Sequence, residues 1–285
     1  MSKPYNELTN SDKEEIITLF KEGKMVKEIP NILGVSKRSV SKVLKDNKIN
    51  SHRLNRYELN ENYFDTINSE KKAYILGLLF SDGFIGDEKH NNISLSITER
   101  DKDILEKIKD EIGFTGKLRK SYNHGYDSQN PTYVLNFSSK HMCESLRNIG
   151  LKDIKSKRDT IIPYNLDEKF VRHYIRGYFD GDGSFIIGHS RESRKLADGS
   201  TKIYCYLKPR LSIIVPEKFA KEFISRIPGN ISIKKSHTKG LVYLENSAKN
   251  NVENLYHYFY DDATIFIERK RDNFLKFMER LARDC

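Results

Sequence analysis

The chain has no tryptophan, three cysteines and seven prolines in 285 residues, and its longest apolar stretch, around Tyr74–Phe80, is only seven residues long. A membrane-crossing helix needs roughly 18 or more consecutive apolar residues, so none is expected. Cys143, Cys205 and Cys285 are odd in number, far apart and in no CxxC spacing, which fits ordinary reduced thiols. The eight histidines never fall three to five residues apart, so a His-pair zinc site and a His-Asn-His nuclease core both lack support. There is no G-x-x-x-x-G-K-[ST] loop and no G-x-S-x-G turn, which removes the starting signals of nucleotide triphosphatases and serine hydrolases. The start, MSKPYNELTNSDKEE, is polar and acidic rather than signal-like, so a cytoplasmic protein is expected.

What the chain does have is enough apolar and aromatic material for real cores, with 37% hydrophobic residues, 16 tyrosines and 15 phenylalanines. Its length allows one large domain or two to three small ones. Lysine and arginine outnumber acidic residues by 50 to 40. Half of that excess falls in residues 1–56, and it sharpens between Lys37 and Arg56, where seven basic residues face Asp46 alone. Clustering of this kind suits a polyphosphate partner.

The same stretch has helical punctuation. Ser11, with Glu14 three residues on, is expected to cap a first helix carrying Ile16, Ile17, Leu19 and Phe20 and ending at Gly23. A second helix, Met25–Leu33, contains the awkward Pro30. Gly34-Val35-Ser36 reads as a tight turn, with Ser36 capping a third helix that turns Val40, Val43 and Leu44 inward. The pattern resembles a helix-turn-helix, with Ser36, Lys37, Arg38, Ser39, Lys42 and Lys45 as the DNA-facing set; a plain three-helix packing module is the alternative. The expected divisions are a reader at 1–50, a polar linker at 51–68, and halves at 69–163 and 164–285, with Tyr63, Phe64 and Ile67 packing onto the domain that follows the linker.

An internal repeat sets those halves. Residues 73–83, AYILGLLFSDG, match residues 173–183, HYIRGYFDGDG, at a constant offset of 100, with Tyr74/Tyr174, Ile75/Ile175, Gly77/Gly177, Asp82/Asp182 and Gly83/Gly183 identical. A glycine inside a helix costs about 1 kcal/mol relative to alanine, so finding it twice at one place asks for a packing reason. Close backbone contact between the two helices supplies one. Packed in parallel, they would present Asp82 and Asp182 side by side at their carboxyl ends, where two carboxylates repel each other and the helix dipoles until a divalent cation joins them. A calcium loop starting at Asp180 is excluded, because Phe185 and Arg191 stand where Gly and Glu are required.

Ile75–Gly83 (ILGLLFSDG) and Ile175–Gly183 (IRGYFDGDG) resemble the motif of the LAGLIDADG homing endonucleases in their single-chain, two-motif form, and the resemblance covers about residues 60–285. It implies an α+β fold: two pseudo-symmetric αββαββα halves, motif helices at their interface, saddle-shaped antiparallel sheets against DNA, and here a small all-α helix-turn-helix in front. It also implies a site-specific double-strand DNA endonuclease that hydrolyses phosphodiester bonds with Mg²⁺ held by Asp82 and Asp182. Such a protein would act as a monomer on a long duplex target, as a mobile element at the nucleoid or in a phage-infected host. One departure is that the sixth motif position is Asp180 in the second copy and Phe80 in the first. Lys155 and Lys270 (or Arg269 in its place) match the basic residues the family sets near each scissile phosphate. Glu99 matches the polar strand-end position, with Val215 at the corresponding place in the second half. A regulator that has lost cleavage and an RNA-splicing maturase are the rival readings on the same scaffold.

Between the motifs, Ile93, Leu95 and Ile97 alternate with polar residues as a strand does. Helical stripes follow at Ile104–Ile112 and Met142–Ile149, around a strand at Tyr133–Phe137. The second half repeats this order, with strands through Tyr204–Tyr206, Leu211–Val215, Ile231–Ile233 and Val242–Leu244, and helices at Phe219–Ile227 and from Asn251 to Phe259.

Overall fold

The computed structural model describes residues 2–49, 57–122, 131–152, 161–164 and 166–283. The chain divides into two compact units, Met1–Glu58 and Leu59–Cys285.

The first unit is three helices, α1 (Asn10–Lys21), α2 (Ile29–Leu33) and α3 (Lys37–Asp46), around Leu8, Ile16, Phe20, Ile29, Val35, Val40, Val43 and Leu44. The α1 cap is Thr9 rather than Ser11. Thr9 Oγ1 accepts the Asp12 N–H at 3.1 Å, and the Asp12 carboxylate accepts the Thr9 N–H at 2.8 Å. Lys3 fixes that carboxylate with an ion pair at 2.8 Å, and the pair together with the Thr9 bonds holds Asp12 at about 2. Pro30 lies in the first turn of α2, where a missing N–H costs no hydrogen bond, so it starts the helix instead of kinking it. Gly34 (φ 66°) makes the left-handed turn between α2 and α3. That turn is pinned by Lys3, whose N–H donates to Gly34 O at 2.8 Å and whose carbonyl accepts the Ser36 N–H at 3.0 Å.

The second unit begins with a docked segment, so the linker ends earlier than its polarity implies. Asn60 N donates to Ile112 O at 2.9 Å, Asp65 accepts from Ser145 and His141, and Tyr63 and Phe64 are buried. The first half then runs α4 (Glu70–Asp82), β1 (Gly83–Ile85), β2 (Asn92–Thr98), α5 (Asp103–Glu111), β3 (Arg119–Ser121), β4 (Thr132–Ser138) and α6 (Lys140–Ile149). The second runs α7 (Glu168–Asp182), β5 (Gly183–Lys195), β6 (Thr201–Pro216), α8 (Ala220–Ile224), β7 (Ser232–Lys235), β8 (Leu241–Asn246) and α9 (Val252–Tyr260), and then adds α10 (Glu268–Arg283). Both sheets are antiparallel with the same order, β1-β2-β4-β3 and β5-β6-β8-β7. Each sheet buries alternate residues (Ile93, Leu95, Ile97; Leu211, Ile213, Val215) and turns the others outward.

Helix α10 is the element the apolar pattern did not announce. Phe274 and Phe277 on it are fully buried, and Phe274 stacks on Phe185 at 4.0 Å between centroids. Its first turn clamps the other half, with Arg269 forked onto the nearly buried Asp101 and Glu268 paired with Lys107 at 2.9 Å. Among the described residues no helix is long and apolar enough to cross a membrane.

Candidate active site

The site is built on the α4–α7 interface. A Cβ placed on Gly77 would stand 2.0 Å from the Tyr174 carbonyl oxygen, and one on Gly177 would stand 2.0 Å from the Tyr74 carbonyl oxygen. The two helices therefore touch backbone to backbone, reciprocally about a pseudo-twofold. Further along, a Cβ on Gly181 would meet Ser81 Oγ at 1.8 Å and Asp82 Oδ2 at 2.9 Å. Contact at the middles and again at the carboxyl ends makes the helices parallel, and it brings the Asp82 carboxylate against the residue preceding Asp182. Asp82 is exposed and Asp182 half-exposed, and each is the last residue of its helix.

Beneath that end lies a buried polar layer. Asp180 accepts from Tyr74 OH at 2.7 Å and from Ile267 N at 2.8 Å, and burial pushes its carboxyl above the usual carboxylate range despite those bonds and the nearby Lys270. Across the pseudo-twofold the same places hold Tyr174 and Phe80, whose rings meet edge to face at 5.5 Å. Polar Asp180 and apolar Phe80 are thus alternative fillings of one packing position. One turn back, the fully buried Arg176 donates to Glu70, to Phe259 O at 2.9 Å and to His173 Nδ1 at 2.6 Å. Burial and this guanidinium hold His173 down at about 4, so the ring is a neutral acceptor.

Lys270 is buried rather than on the surface. It is 6% exposed, and its ammonium donates to the carbonyls of Phe179 (2.8 Å), Asp180 (2.5 Å) and Gly183 (2.7 Å), with Gly181 O at 3.4 Å. Burial lowers it to about 8. The side chain caps the carboxyl end of α7, satisfying carbonyls left over by the helix and opposing its dipole where Asp182 emerges. Lys270→Met should therefore lower urea-unfolding stability by about 3 kcal/mol, the scale of breaking a buried ionic arrangement. A wild-type midpoint and slope would show that the ammonium does not hold α7.

Glu99 is placed by strand register. Gly83 pairs with Leu95 and Gly183 with Ile213, so the halves correspond at an offset of 118 along β2 and β6. Val215 then matches Ile97, both buried, and Glu99 matches Glu217. The hydrogen bonds agree: Glu99 N donates to Pro131 O at 3.0 Å and Glu217 N to Gly240 O at 2.9 Å, each opening a short helical turn. The Glu99/Val215 contrast therefore disappears. Glu99 also lies four residues, about 13 Å, past the Leu95 pair and is engaged by Lys120 at 2.8 Å, whose hydrogen bond and charge lower its carboxyl. One step from the paired glycines, the outward residues are Ser96 and Ile214.

In the first unit, Lys37, Arg38, Lys42 and Lys45 are exposed on one side of α3, with Lys42 over the Tyr5 ring at 4.1 Å. Ser36 caps α3 by accepting the Ser39 N–H at 3.0 Å. Ser39 is 1% exposed, because its hydroxyl is spent on Ser36 and the Lys3 carbonyl. Lys155 lies outside the described residues.

A profile described as LAGLIDADG endonuclease matches residues 175–281, and one described as LAGLIDADG-like domain matches residues 69–150. The chain belongs to the LAGLIDADG family. Among solved structures, the LAGLIDADG meganuclease I-AabMI bound to uncleaved DNA is similar at 14% identity, covering 76% of this chain and 92% of that one, with a TM-score of 0.50. I-SmaMI bound to uncleaved target DNA with calcium ions is similar at 14% identity, 75% and 90% coverage and a TM-score of 0.51. These likenesses show the fold, two pseudo-symmetric LAGLIDADG halves. Among curated proteins of Methanocaldococcus jannaschii, the RNA polymerase subunit Rpo1C is 28% identical over 62% of this chain and 21% of its own length. An uncharacterized protein of that organism is 30% identical over 42% of this chain and 43% of its own. The chain thus spans from a fifth to under half of the curated relatives it matches.

Proposed function

We propose that this LAGLIDADG protein is a site-specific endonuclease that hydrolyses both strands of duplex DNA, acting as a monomer with Mg²⁺. The observation that carries the reading is the backbone-tight parallel packing that sets Asp82 against Gly181, the neighbour of Asp182, at one end of two helices. The donor chemistry fits the ion. Among the described residues there is no cluster of three or more His, Cys, Asp or Glu side chains of the kind a fully protein-built site needs. Mg²⁺ is commonly held by one or two carboxylates, with phosphate and water oxygens completing its shell. Asp82 and Asp182 would hold it, and when bound it would neutralise charge on the attacking and leaving oxygens of a phosphodiester. The protein's own part is to keep two carboxylates at fixed spacing, with Lys270 and Asp180 locking α7 beneath them.

The first unit is read as a helix-turn-helix that lays α3 in the major groove, with Lys37, Arg38, Lys42 and Lys45 toward DNA. The proposed setting is intron or mobile-element homing in the cytoplasm. Incubating the purified protein and Mg²⁺ with a plasmid library and mapping the ends tests the whole reading: specific double-strand ends support it, and intact plasmid together with tight duplex binding would favour a regulator. Deleting residues 1–58 should leave cleavage measurable at low salt. It should also flatten the plot of log affinity against log salt by about 0.9 for each lost phosphate contact, roughly 3 in all for three to four contacts. An unchanged slope would show that the first unit does not touch DNA.

A further inference from the structure

In the first unit one aromatic side chain joins the exposed face of α3 to the segment that precedes α1. Tyr5 opens a short helical turn, Tyr5–Glu7. The chain just before it is fastened along α3 by the Lys3 backbone, whose carbonyl accepts from Ser36 N at 3.0 Å and from Ser39 Oγ at 3.3 Å. The Tyr5 hydroxyl donates at 2.6 Å to the carboxylate of Asp46, the last residue of α3. That hydrogen bond raises the pKa of the phenol, which keeps it a donor at neutral pH. The ring serves two cations, Lys42 of α3 at 4.1 Å from the centroid and Lys13 of α1 at 5.2 Å. A ring face is the negative end of the aromatic quadrupole and attracts an ammonium, and a phenol that donates to a carboxylate has a richer face than a free one.

Lys42 is thereby set apart from the other basic residues of α3. Lys37, Arg38 and Lys45 are exposed and, among the described residues, their side chains have no hydrogen-bond, ion-pair or ring partner. Lys42 stands one turn past Arg38, on the exposed side of the helix. A lysine that binds one base edge has to give up its rotamer freedom. Contact with phosphate, made as a point charge, asks for less placement and carries no sequence information. For Lys42 the ordering is already done in the fold.

We propose that Tyr5 is a positioning residue that holds Lys42 as the base-reading side chain of α3, aimed at guanine O6 and N7 in the major groove, while Lys37, Arg38 and Lys45 contact phosphates. The inference rests on the helix-turn-helix reading above and adds which side chain carries sequence information and what places it.

The test is selection of duplexes from a random-sequence library, without metal, by the full chain and its variants. The part of the selected sequence that disappears on deleting residues 1–58 belongs to the first unit. Wild type should prefer one guanine there by about tenfold, the scale of one good base contact. Lys42→Ala should lose that preference and Lys42→Arg should keep it. Tyr5→Leu should cut the preference about threefold at that one position with Lys42 intact, whereas a purely structural role would blur the whole first-unit sequence. If Tyr5→Leu melts early, Asp46→Asn, which releases the phenol and leaves the ring in place, should still cut it about twofold. Lys37→Ala and Lys45→Ala should each flatten the salt slope by about 0.9 and leave the selected sequence unchanged. A wild-type guanine preference in Lys42→Ala, or in Tyr5→Leu and Asp46→Asn alike, would overturn the inference while leaving DNA contact by the first unit intact. Selection of the same sequence with and without residues 1–58 would overturn the helix-turn-helix reading, and the inference with it.

Discussion

Gly77→Ala and Gly177→Ala are each expected to destabilise the second unit by about 2–4 kcal/mol and to remove cleavage even from molecules that remain folded. Alanine is the better helix former by about 1 kcal/mol, so a glycine that served only the helix would give the opposite sign. Here the added Cβ would fall 2.0 Å from a carbonyl oxygen of the facing helix, an atom that cannot rotate away. Relief requires the helices to separate by more than an ångström along their whole contact. That opens the backbone-tight seam and spreads the two aspartates that the packing spaces. Because Gly77 and Gly177 relieve the same separation, the double substitution should cost clearly less than the sum of the singles. Urea unfolding of the two singles and the double checks all three expectations. Additive losses, or a stabilised single, would show that the helices are not held through this seam.

That seam was legible in the sequence because a rule was broken twice at one spacing. Mid-helix glycine is unfavourable, and its repetition 100 residues apart needs a cause that close approach supplies. The half-buried strands were legible for a similar reason, since Ile93, Leu95 and Ile97 each skip a polar neighbour. Elements of three residues, β1 and β3, are too short to show a period and exist through their partners. The first cap was misplaced because Ser11 and Thr9 are equally good types, and what decides between them is the reach of Asp12, fixed by Lys3. Helix α10 hides its Phe274 and Phe277 stripe inside ERKRDNFLKFMER, where charge dominates. An i, i+3 count on the aromatics alone would have found it. Lys270 could not be read as buried, since lysine seldom is, and only the carbonyls at the end of α7 explain it. Pro216 obscures the strand end that would set Val215 opposite Glu99 in the alignment of the halves, whereas hydrogen-bond register assigns Glu217.

Asp82→Asn and Asp182→Asn should each abolish double-strand cleavage, by 10³-fold or more, while duplex binding is kept or tightened. Asparagine fills nearly the same space at a helix end, so the α4–α7 seam, the Lys270 cap and the Asp180 layer stay in place and the unfolding midpoint should not fall. What changes is charge. Two carboxylates at adjoining helix carboxyl ends repel each other and the phosphate backbone, so removing one favours DNA in the absence of metal. It also halves the carboxylate platform for a divalent cation, and neutralisation of charge at the reacting phosphate is worth several kcal/mol, each 1.36 kcal/mol being tenfold in rate. Asp180→Asn separates this effect from a general disturbance of the site, because Asp180 is buried beneath the end of α7 and accepts from Tyr74 and Ile267. It should lower stability while leaving the metal dependence of any remaining cleavage unchanged. Plasmid cleavage titrated with Mg²⁺, alongside filter binding without metal, reads both quantities. Wild-type rates in either motif variant would take that aspartate out of the metal site, and equal loss of binding and cleavage would mean that the carboxylates serve the fold rather than the chemistry.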